Sequence, residues 1–72
     1  MEKQDIREYG SQELSMIVMN DEGLYKDFMR AVRRNDFYTF AEGLREMFLF
    51  DEEQFEDLEL YFDDEVMQHN NN

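Results

Sequence analysis

The sequence predicts an all-α fold, a small bundle of three to four helices joined by short turns. Three observations point to it. Apolar residues recur at spacings of three and four along most of the chain. The 72 residues include no Pro and only three Gly, so few positions interrupt a helix. Ser, Asn and Asp, the residues that cap helices, stand where one apolar-periodic segment gives way to the next. A chain of this length makes one domain with a modest core, and seven Phe, four Tyr and six Met are available to fill it. The helical domain is expected over residues 1–67, with 68–72 as a disordered polar tail.

The first segment, MEKQDIREYG, places Ile6 and Tyr9 three apart and ends at Gly10, so it reads as one or two helical turns or as an arm. In SQELSMIVMN, Ser11 is a candidate N-cap and Leu14, Ile17 and Val18 share a stripe. Met16 and Met19 widen that stripe, which predicts burial on several sides. Asn20 or Asp21 can cap the next helix, whose stripe is Leu24, Phe28, Ala31 and Val32. Glu22 suits its positive first turn, and Arg30, Arg33 and Arg34 suit its last. Asn35 then ends that helix and Asp36 caps another, carrying Phe37, Phe40, Ala41, Leu44 and Phe48 at helical spacing. Gly43 inside it costs about 1 kcal/mol relative to Ala, which points to a close helix crossing. The final segment, from Asp51 as cap to about Val66, lines up Phe55, Leu58 and Phe62. Leu58, Leu60 and Phe62 also alternate as a strand would; length and the lack of β-branched residues favour helix.

Charge is distributed unevenly. The net charge is −12, of which residues 1–50 contribute −3 from ten acids and seven bases, while residues 51–72 hold nine acids and no base. Such a surface repels nucleic acid and anionic membranes and attracts basic proteins. No apolar run approaches a membrane span and the opening residues lack the apolar core of a signal peptide, so a soluble cytoplasmic protein is expected. With no Cys, neither a disulfide nor a thiolate zinc site can form.

Known chemistries find little to use. The single His, His69, lies in the polar end, and Ser11, Ser15 and Thr39 have no evident base partner. The three glycines are isolated, so no phosphate-cradling loop exists. DEEQFEDLELYF has neither the Gly nor the ligand spacing of a calcium loop. No catalytic residue, metal or cofactor is therefore expected. Lys26, Arg30, Arg33 and Arg34 form the one basic stretch. In so acidic a chain they read as helix C-terminal charges, with Arg30 and Arg34 as intramolecular partners of the acidic segment.

NDEGLY, Asn20 to Tyr25, resembles a motif of small phage- and plasmid-encoded proteins, in which an Asn-Tyr-Glu-Thr-Trp stretch precedes it and a helix close to FAEGLREMF follows. Here Tyr9 and the residues after it match that first stretch loosely, and its Trp is missing. The likeness spans about half the chain, and the family has no assigned reaction to carry over. It implies a mobile-element origin, and by analogy an inhibitor of host defence.

The acidic segment is then the leading candidate site. A solvated face is the ordinary reading of such a run. Against it, nine acids with no i,i+4 cation carry an electrostatic cost. As a helix, residues 51–65 would carry one charge per about 2.3 Å, against about 1.7 Å of axis in duplex DNA. Leu60 falls opposite the apolar stripe among Glu53, Glu56 and Asp64, as an interface anchor within a charged rim would. The expectation is a non-enzymatic inhibitor of anti-CRISPR or anti-restriction type. Asp51, Glu52, Glu53, Glu56, Asp57, Glu59, Leu60, Asp63, Asp64 and Glu65 would occupy the nucleic-acid-binding surface of a basic host protein by DNA mimicry. The alternative is an assembly protein that homodimerises through apolar helix faces, its acids serving solubility.

Overall fold

In the computed structural model, which describes residues 2–71, four helices pack around one core and a two-stranded parallel ribbon closes one end. The order is β1 (Gln4–Asp5), α1 (Glu13–Asn20), α2 (Glu22–Arg34), α3 (Phe37–Met47), β2 (Phe48–Leu49) and α4 (Glu52–Asn70). The all-α bundle read from the sequence is the architecture observed.

Single residues make the turns. The Asp21 amide donates to the Ile17 carbonyl and closes α1, while its carboxylate accepts from the Leu24 amide at 2.9 Å and opens α2. Asn35 adopts the left-handed conformation at φ 51°, and the amides of Asn35 and Asp36 donate back to Val32 and Ala31. That pairing satisfies the carbonyls a helix end leaves open. Asp36 then accepts from the Thr39 amide and hydroxyl. Asp51 and Gln54 form a reciprocal capping box at the start of α4, at 2.8 and 3.0 Å.

Phe28 lies at the centre, fully buried, with its ring edge-on to Phe40 of α3 and Phe62 of α4. Leu14, Val18, Leu44 and Leu58 close around it. Phe37 links this cluster to Phe55, which stacks on Phe50 beneath the Arg45 guanidinium.

Several expectations change. The opening segment is an arm: Gln4 and Asp5 pair with Phe48 and Leu49, and the Ile6 amide donates to the Leu49 carbonyl at 3.0 Å. Ile6 is buried in the core as a result. Because the chain turns extended to receive this arm, α3 stops at Met47 and Phe48 joins the ribbon, still buried. Ser11 is not a cap; α1 starts after Gln12, which makes no side-chain capping bond. Met16 and Met47 are about half exposed, so they do not fill the core. No close crossing exists at Gly43, where an added Cβ would meet nothing within 4 Å. The expected polar tail is helical through Asn70. That extension leaves Asp63, Asp64 and Glu65 inside the helix, away from the negative end of its dipole. Asn72 lies outside the described residues.

Gln54 ties the arm to α4. Its side chain is fully buried, and its Nε2 donates to the Ile6 carbonyl at 2.8 Å and to Gly10 at 3.2 Å. Gln54→Glu keeps the shape and replaces this donor with a carboxylate, which should cost about 1–3 kcal/mol in urea unfolding and speed exchange of the Ile6 amide. In the arm itself, hydrogen bonds from the Arg7 side chain and backbone amide lower the Asp5 pKa from 3.8 to about 2. A depressed carboxylate pKa stabilises the folded arm above 3.8, a contribution lost as pH falls through about 2. An NMR titration should place the Asp5 midpoint near 2, and Arg7→Gln should return it toward 3.8.

Candidate protein-binding face

The outer side of α4 follows from the residues that hold its inner side. Gln54, Leu58 and Phe62 are buried, at spacings of four, and Phe55 and Val66 are half-buried beside them. At about 100° per residue, Glu53, Glu56, Leu60, Asp63, Asp64 and Met67 turn to the opposite side. All six are exposed, Leu60 at 68% and Met67 at 64%. Leu60 has Glu56 and Asp64 one turn before and after it and Met67 two turns on. Glu52 and Glu59 are exposed on the flank of the same face.

The ten candidate residues do not all share one role. Asp51 is the N-cap of α4. Asp57 turns sideways and half-buries itself against α1, accepting from the buried Ser15 hydroxyl at 2.7 Å. Glu65 is half-buried as well. These three serve the fold or face partly inward, which leaves six of the nine carboxylates and Leu60 on the open face. Asp64 also accepts from the Gln68 amide at 2.9 Å.

The expected pairing of Arg30 and Arg34 with the acidic segment is not made. Among the described residues the ion pairs are Arg7–Asp5, Lys26–Glu22 and Arg30–Asp27, so none involves an acid of α4. The reason is direction: Arg30 stands about 200° around α2 from Phe28, the residue that meets α4. Arg30 and Arg34 instead rim a groove of about 260 Å³ between α2 and α3. Its floor is Leu24, Ala31, Phe40, Leu44 and Met47, with Gly43 open at one side.

Met67 and this groove escaped the sequence reading. Met67 had a signal, its seven-residue spacing from Leu60. The groove had none, since it depends on the α2–α3 packing and on which way the Arg side chains leave α2. No group of three or more His, Cys, Asp or Glu among the described residues is placed to hold a metal ion. No helix among them is long and apolar enough to cross a membrane. His69 is exposed in the last turn of α4. Comparison with family models, curated proteins and solved structures returns no match.

The two kinds of carboxylate should separate in stability measurements. Ser15→Ala strands Asp57 in a half-buried site and should cost about 1–2 kcal/mol. Glu53→Gln and Glu56→Gln should stay within about 0.5 kcal/mol, with any change at low salt toward greater stability, because like charges repel along α4. Equal losses in urea melts of both kinds would contradict this division.

Proposed function

We propose that this chain is a non-enzymatic inhibitor that occupies a basic, nucleic-acid-binding surface of a host defence protein with the outer face of α4. The observation that carries the reading is the set of six exposed carboxylates on that face without an ion-pair partner among the described residues. A face kept only for solubility has no need to withhold every cation from one helix, since interspersed cations would lower its self-repulsion.

The spacing sharpens what is imitated. From Glu52 to Asp64 the six carboxylates extend over about 18 Å of helix, or one per about 3 Å. One strand of a duplex carries one charge per about 3.4 Å of its axis. The face therefore resembles one strand of a duplex more closely than both together, because Asp51 and Asp57 are held by the fold and Glu65 is half-buried. The mechanism is competitive. Carboxylates stand where phosphates would lie, Arg side chains of the target engage them two oxygens at a time, and the summed charge speeds encounter. Leu60 and Met67 add apolar contact that salt does not screen, so they favour a target with an apolar notch among its Lys and Arg. The phage- or plasmid-type origin implied by NDEGLY belongs to the same proposal.

The test is inhibition of, and binding to, a basic nuclease such as a CRISPR effector or restriction enzyme. Binding should weaken steeply between low and moderate salt, and DNA or RNA should compete with it. Reversing Glu53, Glu56, Asp63 and Asp64 to Lys should abolish inhibition and leave helicity unchanged. A variant so reversed that still inhibits fully would remove α4 from the active surface.

A further inference from the structure

The N-terminal arm is held to the body by a small set of contacts that a second copy can supply in full. Among residues 2–12 only Ile6 is buried, and residues 7–12, which lead from it to α1, are all exposed. Two-residue pairing with β2, the Ile6 amide bond to Leu49 and the Gln54 side chain complete the attachment. With one apolar side chain in the core, the arm opens more readily than the helices do. Opening wets Ile6 and parts the Gln54 amide from its carbonyl partners, so the open slot favours the return of an arm. The contacts specify what refills it. The occupant is an extended segment parallel to Phe48–Leu49, with an Ile for the core and a carbonyl for Gln54.

We propose that the arm is exchangeable, and that two copies form a symmetric dimer in which each arm occupies the other chain's slot. Reach permits it. Straightened, the chain from Ile6 to Glu13 spans about 24 Å, and the body measures 23 and 20 Å along its shorter axes. In the closed form two backbone hydrogen bonds fold that segment back, Tyr9 to Ile6 and Glu13 to Gly10, both at 3.1 Å. Water replaces both on straightening, because the segment is exposed. Gly10 at its middle resists a new backbone direction least, and no side-chain cap at Gln12 anchors the start of α1 against the change. Charge permits it too. Residues 1–10 hold three acids and two bases, so the element that crosses carries little of the net −12. Arg7 arrives beside Asp51, whose carboxylate favours its charge. The exchange is reciprocal and the contact isologous. Because the contacts match those of the monomer, the dimer forms where chain concentration approaches that of a tethered arm, on the order of 1 mM.

The slot lies behind Gln54, on the inner side of α4, so exchange leaves both acidic faces open. The dimer then presents two such faces at once. Exchange does not depend on the inhibitor reading and is tested on the purified chain alone. Sedimentation velocity from about 10 µM to 1 mM, a range that reaches the tethered concentration, should show dimer appearing toward the upper end. The chain has no Cys, so introduced thiols report the contact directly. Asp5 and Leu49 are register partners and both exposed, at a separation a disulfide can bridge. Asp5→Cys and Leu49→Cys chains, mixed at the highest concentration and treated with glutathione disulfide, should give a covalent heterodimer linked between positions 5 and 49. It should exceed the 5–5 and 49–49 products at least tenfold. Ile6→Ser should weaken dimerisation at least tenfold while keeping helical circular dichroism, and Leu60→Glu should leave it unchanged. A wild-type chain that stays monomeric throughout overturns the proposal. So does a dimer without the 5–49 link, or one that Leu60→Glu abolishes. Ile6→Ser should inhibit the basic target as wild type does, so failure of exchange and failure of the inhibitor reading appear in different assays.

Discussion

The side-chain amide of Gln54 is fully buried, and its oxygen and nitrogen both have partners there. Its oxygen accepts from the Asp51 amide, and its nitrogen donates to carbonyls of the N-terminal arm. A buried amide left unpaired would cost about 1–3 kcal/mol, so this geometry is strongly preferred once it forms. Three consequences follow. The capping box fixes where α4 begins. The arm is drawn across the end of the bundle so that Ile6 enters the core beside the ribbon. With Gln54 turned inward, the rotation of α4 is set, and Glu53, Glu56, Leu60, Asp63 and Asp64 have only the outside left to them.

What could be read in the chain, and what could not, divides along the same line. Local signals were legible: Asp21, Asn35, Asp36 and Asp51 end or start helices as their side chains dictate, and the Leu58–Phe62 stripe turns inward. Leu60 stands exposed as its spacing required. Contacts between residues far apart in sequence were not legible. Gln54 meets Ile6 across 48 positions and Ser15 meets Asp57 across 42, and no periodicity announces either. Both are polar residues on buried faces, which a pattern of apolar spacing passes over. The same blindness hid the arm, since a two-residue strand is stabilised by its partner and leaves almost no signal of its own.

A helix with eight acids, a ninth as its cap and no base ahead of its last turn needs compensation from elsewhere. Three features supply it. Glu52 and Glu53 sit in the first turn, where the helix dipole favours them. Asp51 accepts from the Gln54 amide it caps, and Asp57 from the Ser15 hydroxyl. The helix then continues past the acids to Asn70, so the carbonyls at its negative end are flanked by Gln68, His69 and Asn70. Each device stabilises the helix without bringing a cation to it, which leaves the field of its outer face intact.

Arg30 and Arg34 mark how deliberately that field is left open. A bundle of this size has room for two guanidiniums to fold back onto the acidic helix, and exposed pairs of that kind stabilise by at most about 1 kcal/mol each. Here α2 gives α4 its aromatic side, through Phe28, and turns Arg30 and Arg34 to the groove it forms with α3, beside Asp27 and Asp36. The outer acids of α4 are thereby left without an ion-pair partner among the described residues. That arrangement does little for the stability of a single chain, but it leaves the field of the acidic face to act on whatever approaches. A face of that charge attracts cations and repels anions.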